Sequence, residues 1–433
     1  MRYIFLLVVQ ALFCVCATAQ TALQQYIDTA WKNSPLINDY NNQVKASAYD
    51  LERLKAIFKG PQLDLNGNVL FAPIISTDNS RTKADLNSHG ASNYYGFELG
   101  QTNGGLYQGF VTYTQPLFGN AKYKVAAAQV EVGRQVSQQA ARLGRHDLEK
   151  LVIDQYILCL LDEKQIAFTD SLITLLKQQL VLVKKLAEAS LLKQSDVSLL
   201  NIEYENDQYI LATFKASYYS KLMDLNALCG IRDTTNKVLP DVNLQLKTPG
   251  VSATGPAPLS GFLEKFRLDS LNLAATQSAF ELKYKPTFNF FTNAGLDATY
   301  ISNAYNRFGF DAGLSFTFNL FDGHQRRLTR ERTNILQQTT SFYRDNFNLQ
   351  NEVRKHKFLA DLAAYNERRD NLQKQAAEYT QLLAGYKKEI IQGQISIISY
   401  VTVLKSMVML KRDYFLAETN SLLLVNGYNY WNW

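Results

Sequence analysis

The sequence predicts a mainly α-helical protein with a small membrane β-barrel portion, in which a strand hairpin and a pair of long coiled-coil helices occur twice. Three observations predict this fold class: an internal repeat, strands of membrane length, and long stretches without proline. The repeat is visible at two landmarks. Phe118 and Phe321 end strand-like runs 203 positions apart, and Ser190 and Gly393 are separated by the same 203 positions. Two landmarks with one offset indicate duplication.

Four segments alternate between apolar and polar residues over the length of a membrane strand. They cover residues 62–71, 106–118, 287–300 and 308–320. A tilted strand needs roughly 9–11 residues to cross a bilayer, with alternate side chains facing lipid and lumen. Since open sheet edges are not tolerated in lipid and four strands do not close a barrel, a membrane role requires several chains to pool their strands. The alternative is two hairpins packed on a soluble core.

Long helices are predicted over residues 121–229 and 324–425. No proline occurs in residues 117–239 or 287–433, so the commonest helix breaker is absent there. From Leu372 onward, apolar residues recur at alternating spacings of four and three, which is the seam of packed helices. A single helix over the first part of the first stretch would be roughly 100 Å long.

The start of the chain and its middle give the domain organisation. Residues 1–19 contain a basic residue, an apolar run and a small-residue cleavage site, which indicates a secretory signal peptide. We expect a first structural repeat over residues 20–240, a linker over residues 241–258 and a second repeat over residues 259–433.

The composition argues against several classes of function. The formal net charge of +6 is spread over 433 residues with acids and bases interspersed, so no nucleic-acid footprint is present. Cys159 and Cys229 lie in apolar helical patterns and are expected to be buried. The sequence contains neither a metal-ligand spacing nor a nucleotide or hydrolase motif. We therefore expect no enzyme activity, no cofactor and no metal.

By their order and spacing, these segments resemble the TolC-like outer-membrane efflux proteins. The resemblance covers essentially all of the chain after the signal and is carried by residues 115–119, 190–197, 320–323 and 393–399. It implies a homotrimer whose four strands per chain form one twelve-stranded barrel above an α-helical periplasmic tunnel with a closable mouth. It also implies a periplasmic adaptor and an inner-membrane pump as partners, with outer-membrane lipid around the barrel.

The resemblance places two sites on this chain. The periplasmic mouth or gate is expected at the two hairpin tips, with the candidates Ser190, Lys193, Asp196, Gly393, Ser399 and Thr402. The family often has carboxylates where the mouth narrows, whereas here Asp196 alone is acidic. The junction between barrel and helices is expected at Pro116, Phe118, Gly119, Phe321, Asp322 and Gly323.

The predicted function is a passive exit duct in the outer membrane, part of a tripartite efflux system for small molecules. A duct for type I protein secretion is an alternative, because the partner pump selects the cargo. A periplasmic adaptor is a further alternative, but it should have one hairpin and β-rich flanking domains.

Three further features have no single interpretation from the sequence. An insertion near residues 72–105 is expected to form the main exposed loop. Arg326, Arg327, Arg330 and Arg332 either form a basic collar or pair with Glu331 and neighbouring chains. The aromatic tail at residues 428–433 is interpreted as a segment that docks on the outside of the helical portion.

Overall fold

The computed structural model describes residues 22–78, 81–85, 92–96, 105–247, 260–392 and 394–433. The predicted signal peptide, residues 248–258 of the predicted linker and Gly393 lie outside these ranges. The described helices are α1 (residues 22–33), α2 (Pro35–Lys59), α3 (Asn120–Glu188), α4 (Gln194–Leu228), α5 (Gly261–Phe280), α6 (Gln325–Ile391) and α7 (Ile397–Trp431). The described strands are β1 (Gln62–Phe71), β2 (Ile74–Ser76), β3 (Lys83–Asp85), β4 (Tyr94–Tyr95), β5 (Gly105–Leu117), β6 (Thr287–Ala298) and β7 (Phe308–Thr317).

The element bounds differ from the predicted ones at several ends. Strand β7 stops at Thr317, three residues before the predicted end, because its partner β6 begins at Thr287, directly opposite. Each long helical stretch is interrupted once, between α3 and α4 and between α6 and α7, where the two hairpin tips are expected. Helix α7 continues to Trp431, beyond the predicted end at residue 425.

The chain divides into two compact units. The strand unit consists of Asn42–Ser137 and Arg267–Ser341, and the hairpin unit contains the other described residues. Helices α2, α3, α5 and α6 have residues in both units.

The strand unit contains a four-stranded antiparallel sheet in the order β1–β5–β6–β7. Among the described strands, β1 and β7 each pair with one neighbour, so both are edge strands. One face of this sheet, the apolar face, exposes large side chains such as Leu65 at 82% and Phe310 at 85% of their surface. The opposite, polar face carries Asn66, Thr112 and Asp311, because successive side chains of a strand alternate between faces.

The insertion predicted near residues 72–105 contains a second sheet. Strands β2, β3 and β4 pair in the order β3–β2–β4, and Ile74 of β2 is buried. The carboxylate of Asp78 accepts hydrogen bonds from the backbone N–H groups of Ser92 and Asn93, both at 2.7 Å. The described part of this insertion is therefore ordered by its own contacts.

The hairpin unit has a hydrophobic core built from α1, α3 and α4. Val152, Tyr156 and Cys159 of α3 are fully buried against residues such as Leu225 of α4. Cys159 and Cys229 are both buried and free, as predicted, and burial raises the pKa of each thiol to about 12. Thiols with so high a pKa are unreactive at neutral pH.

Within the described ranges, one helix, α3, is long and apolar enough to cross a membrane by length and composition alone. Core helices of soluble proteins meet the same criteria. In α3 the residues around Tyr156 and Ile157 are buried in the core of the hairpin unit, which accounts for their apolar character.

The aromatic tail is half-buried and packs against residues of α3 and α5 in the hairpin unit. The ring of His146 is stacked on Tyr430 and Trp433, with ring centroids 4.7 Å and 4.2 Å apart. Phe262 meets both rings edge-on, and a Cβ atom on Gly261 would lie 2.3 Å from the Trp433 ring. The close approach requires glycine at position 261. Burial lowers the pKa of His146, so the imidazole is neutral in this stack at neutral pH.

Candidate functional site

The first hairpin tip, at residues 189–193, ends α3 with a Schellman motif. The N–H of Leu191 donates to the carbonyl of Leu186, and the N–H of Ser190 donates to the carbonyl of Ala187, both at 2.9 Å. Ser190 has φ of 60°, the left-handed conformation that glycine usually supplies at this position.

The second tip, between α6 and α7, repeats the bond that spans five residues. The N–H of Gln394 donates to the carbonyl of Glu389 at 2.9 Å, which is the Leu191–Leu186 bond displaced by the repeat offset. Gly393, the candidate that aligns with Ser190, lies outside the described residues. The shared bond shows that α3 and α6 end with related turns.

Helices α4 and α7 begin with opposite halves of a capping box. In α4 the Asp196 carboxylate accepts the N–H of Lys193 at 3.1 Å, and the lysine side chain, which has no acceptor, returns no bond. In α7 the hydroxyl of Ser396 accepts the N–H of Ser399 at 3.2 Å. Lys193 aligns with Ser396 and Asp196 with Ser399, so equivalent positions cap the two helices through different chemistry.

The candidate mouth residues differ in their exposure to solvent and in their hydrogen bonds. Lys193, Ser399 and Thr402 are exposed, while Asp196 is half-buried. Thr402 donates its hydroxyl hydrogen to the carbonyl of Ile398 at 2.9 Å, within its own helix. Asp196 therefore has a structural role as a cap in addition to any role in a mouth.

The structure brings the two tips together in one packed cluster. Its buried residues are Leu172, Leu176, Leu180, Val183, Val197, Leu200, Leu383, Ile390, Ile397, Tyr400, Val401 and Leu404. They come from α3, α4, α6 and α7, and they include Leu383 and Ile390 of the seam that the spacing of four and three predicts.

Behind the tips, an ion pair joins a buried carboxylate of α4 to a lysine of α7, and sequence reasoning missed it. Glu203 and Asp207 are buried, and Lys405 Nζ lies 2.8 Å from Glu203 Oε2. Burial, and then the charge of Glu203, raises the pKa of Asp207 to about 6, although Arg412 and Lys405 act in the opposite direction. The sequence did contain a signal for this cluster. Glu203 and Asp207 follow Leu200 at spacings of three and seven, which place both acids on the same face of the helix as this apolar residue.

The first junction candidates lie in the strand unit at the end of β5. Pro116 lies in β5 opposite Asn289. Phe118 has φ of 59° and an 85% exposed side chain, and its ring meets Phe288 edge-on at 6.1 Å. At Gly119 a Cβ atom would lie 1.7 Å from the carbonyl oxygen of Phe58, so the backbone approach requires glycine.

The second junction begins α6. Asp322 accepts a hydrogen bond from the hydroxyl of Tyr284 and another from the N–H of Arg326 at 2.8 Å. These bonds, the one from Tyr284 above all, hold the pKa of Asp322 below its usual range. Gly323 has φ of 64°, and Phe321 exposes 77% of its surface. Asp322 is thus the residue that fixes the start of the helix.

Two of the four arginines after β7 pair within the chain, with a partner that the sequence did not indicate. Glu281 receives Arg330 Nε at 2.5 Å and Arg326 Nη2 at 3.2 Å. The hydrogen bond from Arg330 is the largest influence lowering the pKa of Glu281 to about 2. Arg327 reaches the predicted partner Glu331 only at 3.9 Å.

The polar face of the sheet contains a hydrogen-bonded ladder that sequence reasoning also missed. The side chain of Asn66 donates to Thr112 at 3.1 Å, Thr112 donates to Asn293 at 2.8 Å, and Asn293 donates to Asp311 at 2.9 Å. These four residues lie on β1, β5, β6 and β7 in turn, so the ladder crosses the whole sheet. The alternation of the strands placed them on one face without fixing their register.

Across the ranges that the structure describes, no three His, Cys, Asp or Glu side chains form a group that could hold a metal ion. The carboxylates at the two candidate sites have structural partners: the backbone N–H of Lys193 for Asp196, and the Tyr284 hydroxyl and the Arg326 backbone N–H for Asp322. The sites consist of turns, caps and packed surfaces.

No protein-family model and no curated protein matches the chain. Solved structures do match it over almost its full length. The outer membrane protein VceC from Vibrio cholerae is 11% identical, with 96% of this chain and 97% of that chain covered and a TM-score of 0.70. CusC, solved in a study of transmembrane channel formation, is 12% identical, with 95% and 91% covered and a TM-score of 0.68. A membrane protein from Pseudomonas aeruginosa is 14% identical, with 95% and 92% covered and a TM-score of 0.68. The chain therefore has the fold of the TolC-like outer-membrane channels, which confirms the fold that the sequence resemblance predicted.

Proposed function

We propose that this chain is one subunit of an outer-membrane channel through which small molecules leave the cell passively. The four-stranded sheet carries this proposal. Its strands have 10, 13, 12 and 10 residues, which is the length needed to cross a bilayer. None of them contains Lys or Arg. One face exposes large apolar side chains and the other is mostly polar, as expected for strands between lipid and a water-filled lumen.

A single copy cannot complete such a barrel, because β1 and β7 leave two open edges. Unpaired backbone groups are costly in hydrocarbon, so each edge must pair with another copy. Three copies supply the twelve strands that the TolC-like resemblance implies. The protein is then an obligate homotrimer surrounded by outer-membrane lipid.

Conduction through this lumen requires no acid, base, nucleophile, metal or cofactor, and we propose no enzymatic step. A periplasmic adaptor and an inner-membrane pump are the proposed partners, on the basis of the same resemblance. Nucleic acid has no part in the proposal. The pump determines whether the cargo is a small molecule or a secreted polypeptide, and we favour small-molecule efflux.

The gate is proposed at the two tips that share one packed cluster. Three copies of the exposed residues Lys193, Ser399 and Thr402, with Asp196 beside them, would surround the narrow end of a tunnel. Helix–helix packing in this cluster, together with the ion pair between the buried Glu203 and the exposed Lys405, would hold the closed arrangement.

Purified full-length protein in planar bilayers tests the channel. We expect ion conductance without any added cofactor once the tips are opened, for instance by substituting the buried Tyr400 with alanine. If neither the parent nor this variant conducts ions, in preparations shown to be trimeric and inserted in the bilayer, the proposal is contradicted. Deleting the gene then distinguishes the two kinds of cargo. Loss of an efflux duct increases sensitivity to small toxic compounds, whereas loss of a secretion duct removes a protein from the culture medium.

A further inference from the structure

The charged residues of the four-stranded sheet are all carboxylates. Its strands contain Asp64, Asp297 and Asp311 and no Lys, Arg or His. The pairing of the strands places all three on the polar face, and all three are exposed in the single chain. A surface of one charge sign raises the local concentration of counter-ions beside it. The polar face therefore favours cations.

The polar face also carries the aromatic side chain of Phe291, on β6. Phe291 pairs with Gly313 of β7, and a Cβ atom on that glycine would lie 2.8 Å from Cζ of the phenylalanine ring. The ring therefore lies over Gly313, along the surface of the sheet, and it is half-buried there. Glycine at position 313 makes room for the ring, whose outer side is left uncovered by the sheet.

The carboxylate of Asp311 stands beside this ring. Asp311 pairs with Asn293, so Phe291, two residues earlier on β6, is its diagonal neighbour at roughly 7 Å. Asn293 Nδ2 donates to Asp311 Oδ1 at 2.9 Å, and Oδ2 accepts no bond from the described residues. The amide thus holds the carboxylate in place without neutralising its charge. Phe291 and Asp311 form the inner pair, a ring and a carboxylate side by side.

The same arrangement recurs farther from the helices. Phe110 of β5 pairs with Gly295 of β6, and Asp297 lies two residues beyond that glycine. Asp311 likewise lies two residues from Gly313. In both cases the carboxylate is on the side of the glycine that points away from the helices, because β6 and β7 are antiparallel. Phe110 and Asp297 form the outer pair, four residues or roughly 14 Å farther along β6.

A lysine reaches the polar face close to the helices. Lys122 Nζ donates to Oγ1 of Thr287, the first residue of β6. Thr287 lies four residues before Phe291, again roughly 14 Å along the strand. Exposed charges farther apart than about 8 Å are largely screened at physiological salt. Lys122 therefore leaves both pairs in acidic surroundings.

We propose that each pair binds an organic cation, a quaternary ammonium or protonated amine with an apolar body, and that the two pairs are successive sites along the wall of the channel. The inference rests on the proposed function, in which the polar face lines the lumen. The carboxylate attracts the charge from water, and the ring adds cation–π attraction and apolar contact. Because both groups are exposed, binding is weak, and a cargo molecule can leave the inner pair for the outer one.

Block of the ionic current by benzyltrimethylammonium tests the proposal in planar bilayers. The reference is the full-length channel opened by Tyr400→Ala. A ring variant adds Phe110→Leu and Phe291→Leu to it, and an acid variant adds Asp297→Asn and Asp311→Asn. Leucine keeps an apolar side chain without a π face, and asparagine keeps the acceptor oxygen without the charge.

The two variants should differ in a second readout, the permeability of potassium relative to chloride. The ring variant should need a roughly two- to five-fold higher concentration for half-block, as expected for the loss of a cation–π contact at an exposed site. Its preference for potassium should be unchanged. The acid variant should lose both the block and part of that preference. Phe316→Leu, which removes a ring from the apolar face, is the matched control and should match the reference in both measurements.

A ring variant that is blocked at the same concentration as the reference would overturn the proposed sites and leave the channel intact. A reference protein that is trimeric and inserted but conducts no ions would instead contradict the proposed function itself.

A comparison of probes on the reference channel applies if the variants do not assemble. Benzyl alcohol has the ring of benzyltrimethylammonium without its charge, and benzenesulfonate has a ring with the opposite charge. Benzyltrimethylammonium should block at a several-fold lower concentration than either. Equal block by benzyl alcohol or benzenesulfonate would show that the carboxylates do not contribute and would overturn the proposal.

Discussion

At the residue scale, Asp196 has two properties that substitution can separate, a hydrogen-bond acceptor and a charge. Asp196→Asn keeps an acceptor for the Lys193 N–H but is neutral, whereas Asp196→Ala removes both. If Asp196 lines the mouth, both variants should change single-channel conductance or cation preference to a similar extent. Only the alanine variant should also lose the cap, at a cost of about 1 kcal/mol in the stability of the hairpin.

The matched control is Ser396→Ala, which removes the equivalent cap from the second tip without changing charge. It should lower thermal stability and conduct like the parent. Parent-like conductance of Asp196→Asn would show that this carboxylate serves only as a cap.

Glu163 should make the hairpin unit less stable as the pH rises. Its carboxylate accepts the N–H of Leu239 at 3.1 Å, but burial raises its pKa to about 7. A carboxyl with a higher pKa in the folded state binds its proton more tightly there, so the stability present below the unfolded pKa is lost as pH rises through the folded pKa. The loss should fall between about pH 4.5 and 7.

The variant Glu163→Gln keeps the oxygen that accepts from Leu239 and removes the titration. Its midpoint of thermal unfolding should exceed that of the parent by a margin that grows from about pH 5 to 7 and is constant above that range. The exposed Glu188→Gln serves as the comparison and should follow the parent. A margin that does not change with pH would refute the assignment.

At the element scale, the apolar face of the sheet predicts a cost that depends on depth. Leu314 lies near the middle of β7 and is 74% exposed, while Phe316 lies one residue from its end. Leu314→Arg should cost about 2–4 kcal/mol, as for arginine near the bilayer midplane, and Phe316→Arg about 0–1 kcal/mol, as near the interface. The yield of folded trimer from refolding into lipid measures both. Equal yields would indicate that this face does not meet lipid.

The elements show what the sequence could and could not predict. The alternation of apolar and polar residues was sufficient to predict strands β1, β6 and β7 and the faces of their side chains, because this period of two does not depend on the register between strands. The absence of proline predicted long helices, and the repeat landmarks predicted hairpin tips near residues 190–197 and 393–399. The hydrogen bonds that end each helix, such as the one from the Leu191 N–H to the Leu186 carbonyl, could not be predicted. The ion pairs of Glu281 and Glu203 join elements distant in sequence, and no local pattern identifies such partners.

At the scale of the whole molecule, the open edges of the sheet predict an obligate trimer. Native mass measurement in mild detergent should give a mass of three chains and essentially no monomer. The reason is that exposed strand edges are unfavourable in an apolar medium. Monomers that remain folded and inserted in membranes would contradict this prediction, and with it the channel.

Duplication explains why the whole fold could be recognised while single residues could not. The offset between repeats identifies equivalent turns even where the residues differ, as at Lys193 and Ser396. It gives no help where the chain has no second copy of a feature. The tail is such a case, since the stack of His146 between Tyr430 and Trp433 joins residues that no repeat or period relates.

The unpaired edges also determine whether mutations in this gene are dominant or recessive. Each subunit must be accepted by a neighbour on both sides, so a chain that pairs normally through β7 but carries a blocked β1 would be incorporated and then stop the ring from closing. One defective chain would therefore inactivate the normal chains that are assembled with it. Mutations that damage a single edge should therefore be dominant in cells that still carry the intact gene, whereas mutations that unfold the chain before it meets a neighbour should be recessive.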